Sequence, residues 1–137
     1  GYKFNRPIQL NQNLTHLTVG DKFKQPIQLT DKIKYLGLNS NPHNLIDNLP
    51  NGIEELVLEN YFNSPMNNLP TSIKIIRLDC IVYDHELNCL PYYVEYLRLN
   101  RSYDKKILNI PKGLKKIVCS KKYKFINDFD NLITETY

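Results

Sequence analysis

The chain has 137 residues, a formal net charge of +4, and 42% hydrophobic and 23% charged side chains, which suits one globular domain and excludes a disordered segment. It holds no run of 18 apolar residues to span a membrane, and its first residues, "GYKFNRPIQL", lack the apolar block of a secretory signal. It contains no Ala, the best helix former, and no Trp, so a helical solenoid is disfavoured.

Taken along the chain, one phrase recurs. Its cores are "LTHLTV" at 14–19, "IKYLGL" at 33–38, "IEELVL" at 53–58, "IKIIRL" at 73–78, "VEYLRL" at 94–99 and "LKKIVC" at 114–119. The steps between them are 19, 20, 20, 21 and 20 residues. The last four positions of each core alternate polar and apolar, the period of a strand with one buried face. A strand this short is unstable alone, but stacked neighbours share backbone hydrogen bonds and bury continuous apolar columns. The spacing predicts two such columns. One runs Leu17, Leu36, Leu56, Ile76, Leu97 and Ile117; the other runs Val19, Leu38, Leu58, Leu78, Leu99 and Cys119. The expected fold is mainly β. It is a solenoid of the leucine-rich-repeat type with about six repeats of roughly 20 residues. One parallel sheet forms one face, and irregular or short 3-10 segments form the other.

A second phrase lies between the cores: "FNRPI" at Phe4, "FKQPI" at Phe23 and "FNSPM" at Phe62, with looser forms "PHNLI" at Pro42, "YDHEL" at Tyr83 and "YDKKI" at Tyr103. The aromatic and the aliphatic four positions later are expected to fill the return side. The Asn is expected to bond its own neighbouring backbone. Leu-Pro at Leu49, Leu69 and Leu90, and Ile-Pro at Ile110, set the turn into the next strand. The last eleven residues, 127–137, fit no repeat and are expected to cap the open end. The whole of 1–137 is read as one domain. It begins inside a repeat phrase and without Met, as a piece of a longer protein would.

"FNRPI" and "FNSPM" alternating with "LPTSIKIIRL" resemble the FNIP repeat, a short class of leucine-rich repeat found in social amoebae and in giant viruses that infect amoebae. The resemblance covers residues 1 to about 126 and weakens in the last two repeats, where Asp104 and Lys106 replace the Asn and Pro. Such repeats often follow an F-box. The resemblance therefore implies the substrate-recognition arm of a ubiquitin ligase in the cytoplasm, or the host cytoplasm for a viral protein.

No catalytic or metal constellation is visible. His16, His43 and His85 fall at different phases of the repeat, and Cys80, His85 and Cys89 have no fourth ligand nearby. The odd cysteine count, without a CxxC pair, points to a reducing setting. Two sequons, at Asn13 and Asn100, are no more than so Asn-rich a chain produces by chance. No cofactor, metal or small-molecule substrate is expected, and the chain is not read as an enzyme.

What remains is the outward side of the strands. Its first ladder is His16, Tyr35, Glu55, Ile75, Tyr96 and Lys116; its second is Thr18, Gly37, Val57, Arg77, Arg98 and Val118. Tyr and Arg commonly anchor interfaces, and exposed Ile75 and Val57 are expected to give the face an apolar centre. His16, Tyr35, Glu55, Val57, Ile75, Arg77, Tyr96, Arg98 and Lys116 are thus the candidate partner-binding residues, with Glu55 expected to pair with Lys34 or Lys74. The partner is expected to be another protein. The alternatives are a polyanion or nucleic acid bound by the basic second half, where residues 69–137 carry 12 basic and 8 acidic side chains, or a structural virion component.

Overall fold

A computed structural model describes residues 3–137. Seven strands form one parallel sheet in sequence order: β1 (His16–Val19), β2 (Tyr35–Leu38), β3 (Glu55–Asn60), β4 (Ile75–Cys80), β5 (Tyr96–Arg98), β6 (Lys116–Cys119) and β7 (Ile133–Thr136). The chain is a β-solenoid of about six turns. Register follows the repeat: Leu17, Leu36, Leu56, Ile76, Leu97 and Ile117 pair rung by rung, as do Val19, Leu38 and Leu58 with Leu78. Slipping any strand by one residue would turn these side chains to water, which fixes the register.

The first apolar residue of each core closes a turn instead of entering the strand. The amides of Leu14, Ile33, Ile53, Ile73, Val94 and Leu114 donate to the carbonyls of Asn11, Thr30, Pro50, Pro70, Pro91 and Pro111. Proline suits that position, because its missing N–H is not needed there and its ring holds the entering bend. In one of these turns, a Cβ at Gly52 would lie 1.9 Å from the Asp31 carbonyl oxygen. Glycine is required by this approach of two turns, not by backbone angle.

The return side packs as the second phrase implies. Phe23, Phe62, Tyr83, Tyr103 and Tyr123 are buried, as are Ile46, Met66, Leu87 and Ile107. Ring centroids are 6.2 Å apart for Phe4–Phe23, 6.3 Å for Tyr83–Tyr103 and 6.1 Å for Tyr103–Tyr123. The aromatics thus form a third column in which the rings interact in two runs, Phe4–Phe23 and Tyr83–Tyr103–Tyr123, with Pro42 at the intervening position before Phe62. Among the described residues, short 3-10 segments at Pro42–Asn48 and Ile126–Phe129 interrupt the irregular returns. The first admits left-handed His43 (φ 48°) and Asn44 (φ 53°).

One expectation is corrected. The phrase Asn does not bond its own loop. Asn5 Oδ1 accepts from the Lys24 amide at 2.7 Å, and Asn63 Oδ1 from the Asp84 amide at 3.0 Å, each one turn further on. The residue stitches turn to turn; where Asp84 replaces it, a 2.8 Å ion pair with Lys105 of the next turn takes over. The tail from residue 127 adds β7, in register with β6 from Lys116–Ile133 to Cys119–Thr136.

Candidate functional site

The sheet face brings the two outward ladders together as the spacing implies. His16, Tyr35, Glu55, Ile75, Tyr96 and Lys116 are consecutive partners, and Ile133 extends the row. Thr18, Gly37, Val57, Arg77, Arg98 and Val118 form the second row, ending in Glu135. Six steps of about 4.8 Å make the face about 29 Å tall.

Its side chains hold one another. Arg77 binds Glu55 at 3.1 Å and lies over the Tyr96 ring at 5.8 Å, while Lys116 approaches the same ring at 5.9 Å. Arg98 binds Asp79 at 3.3 Å, and the rings of His16 and Tyr35 stack at 5.7 Å. Burial pushes the Tyr35 hydroxyl above its usual range, with Glu59 and Glu55 adding to the effect and Arg77 and Thr18 opposing it.

The apolar centre is not as expected. Val57 is 3% exposed and Val118 8%, so neither offers surface to a partner. In register Val57 stands between Gly37, which has no side chain, and Arg77, which reaches back to Glu55. Ile75 stays partly exposed. Glu55 pairs with Arg77, not with Lys34 or Lys74; Lys34 instead meets Glu54 at 2.9 Å. One residue earlier a second row, Lys34, Glu54, Lys74, Glu95 and Lys115, alternates in sign, and within it Lys34 pairs with Glu54 and Lys115 with Glu95.

Exposed apolar surface lies instead at the ends of the strands. Tyr61 is 74% exposed and Ile81 62%, on consecutive turns joined by the Ile81 amide and Asn60 carbonyl at 2.8 Å, with Val82 beside them. Sequence reasoning missed this ridge. Its signal was an apolar residue in the stretch between core and return phrase, where other turns carry Asp21, Asn41 or Arg101. A second exposed pair, Tyr92 and Tyr93, sits in the turn before β5.

The basic stretch from Lys105 to Lys116 is largely paired: Lys105 with Asp84, Lys106 with Asp128, Lys115 with Glu95 and Lys116 with Glu135, all at 3.3 Å or less. Lys121, Lys122 and Lys124 have no carboxylate partner among the described residues. Among those residues no three His, Cys, Asp or Glu side chains are grouped to hold a metal, and no helix is long and apolar enough to cross a membrane. Cys80 is buried and its thiol pushed up to about 11 by desolvation; Cys119 is buried too, and Cys89 is exposed.

No family model, curated protein or solved structure matches the chain, so the reading of its function stands on this geometry.

Proposed function

We propose that the chain is a protein-interaction module whose partner contacts the outward face of the sheet, centred on Tyr35, Ile75, Arg77, Tyr96 and Arg98. The observation that carries this reading is the Glu55–Arg77–Tyr96–Lys116 group, with Arg77 and Lys116 flanking one ring at 5.8 and 5.9 Å. Aromatic and guanidinium groups already fixed on a rigid sheet lose little further freedom on binding. The pairing of lysines 105–116 supports a protein partner over a polyanion, because paired cations release fewer counterions. The proposed link to an F-box ligase rests on the FNIP resemblance alone.

A photo-crosslinking residue at 96 is expected to capture a partner, and the same residue at 108, on the return side, is not. The Tyr35→Ala, Arg77→Ala, Tyr96→Ala triple variant should then lose at least tenfold in affinity for that partner while its circular dichroism shows the sheet still folded. Equal affinity of the triple variant would refute the reading.

A further inference from the structure

The edge of β6 shows what it accepts. Its occupant is the chain's own 133–137 segment, "ITETY". All four β7 residues are exposed. Its inward positions, Thr134 and Thr136, give the columns no large apolar side chain to bury. What holds the segment is local: ladder bonds such as the Ile133 amide to the Lys115 carbonyl at 3.1 Å, and an ion pair between Glu135 and Lys116 at 2.6 Å. Beyond the strand, the Tyr137 ring lies between Arg98 at 5.7 Å and Arg101 at 5.3 Å, and its hydroxyl donates to the Leu99 carbonyl. Backbone bonds, one charge match and one aromatic seat are the elements of strand-addition recognition. A segment with so little apolar burial belongs to the low-stability end of a fold.

We propose that β7 is a displaceable latch. The β6 edge, with Lys116, Arg98 and Arg101, captures in its place an extended segment of another protein carrying the pattern aliphatic-x-acid-x-aromatic. The acid meets Lys116, the aromatic enters the Arg98–Arg101 seat, and the intervening residues need only fit beside the column ends.

The probe is a fluorescent peptide of residues 131–137, NLITETY, with both ends blocked, added to the 137-residue chain and to its Glu135→Lys, Tyr137→Ala variant. The variant sets two like charges against each other at Lys116 and empties the aromatic seat. Polarisation should show the peptide binding the variant at least tenfold more tightly than the parent. Replacing the peptide's Glu by Lys or its Tyr by Ala, or adding Arg98→Ala and Arg101→Ala to the protein, should cost at least tenfold. Absent binding, or equal binding of the altered peptides, with the circular dichroism and melting of the sheet intact, would overturn the proposal. Should the variant not fold, hydrogen exchange of the unaltered chain decides: β7 amides must exchange well before those of β3 and β4, and equal protection overturns the latch. Failure here leaves the strand-face reading standing, because that reading is tested at Tyr35, Arg77 and Tyr96.

Discussion

The first and last turns among the described residues cover their apolar columns differently. At the first turn the columns end in apolar side chains. Leu17 is only partly buried, Phe4 is 46% and Ile8 36% exposed, and a cavity of about 530 Å³ opens between them and Val19, Phe23 and Ile27. At the last turn the same columns end in Thr134 and Thr136, with Phe129 buried beneath the tail and Tyr137 pinned by two arginines. A middle turn has a neighbour on each side; an end turn has one. Where the sequence changes to hydroxyls the end is tolerable to water, and where it stays leucine and phenylalanine apolar surface remains open.

The comparison is broken most sharply by one substitution made at two heights of one column. Leu56→Ala, at 0% exposure, should cost about 3–4 kcal/mol, while Leu17→Ala should cost about 1 kcal/mol. Urea denaturation of the two variants measures both, and equal losses would show that the first turn is as enclosed as the third. Gly52→Ala against Gly20→Ala is the next contrast. The first methyl meets a carbonyl oxygen at 1.9 Å, and the second finds nothing within 4 Å. Losses of about 2–3 kcal/mol and near zero are expected.

The aromatic column sets an alkaline limit. Burial pushes the Tyr83 and Tyr123 hydroxyls well up and that of Tyr103 up to about 12. The folded chain therefore keeps protons that the unfolded chain, with tyrosines near 10, gives up. The stability these groups contribute is complete below pH 10 and is lost as pH rises through 12 and beyond. Tyrosinate absorbance should show a late group of tyrosines ionising together with the loss of circular dichroism. Tyr83→Phe, which removes a hydroxyl buried without a partner, should be tolerated without loss of stability. The inter-turn stitch is smaller: Asn63→Ala should cost about 1 kcal/mol by loss of one backbone hydrogen bond. Smallest of all, Glu54→Gln should leave the melting temperature unchanged at physiological salt. Lys34 holds the Glu54 carboxyl below its usual range, but both side chains are half in water.

How much of this was legible follows from where the signal lies. The L-x-x-L-x-L cores gave the register of six strands, because alternation by two decides which side is buried, and a fixed period decides which residues meet. β7 carries no such signal: its one aliphatic, Ile133, faces outward, and its inward positions are threonines. Val57 was misplaced for a different reason. Alternation tells direction, not cover: Val57 stands on the outward row and is still only 3% exposed. The Asn stitch is likewise a contact across twenty residues, invisible to reasoning about local turns. The outward charges were half read: pairs between turns were foreseen, but the Lys34–Glu54 and Glu55–Arg77 partners depended on side-chain reach.

The most direct test of the stacked register is scalar coupling through hydrogen bonds in an isotope-labelled sample. The amides of Lys34, Glu54, Lys74, Glu95 and Lys115 should couple to the carbonyls of Thr15, Lys34, Glu54, Lys74 and Glu95, each one turn back, at N–O distances of 2.8–2.9 Å. Five such couplings are the expected result. Coupling of Glu54 or Lys74 to a carbonyl four residues earlier, or to any strand other than the preceding turn, would contradict the parallel stack and remove the face built on it.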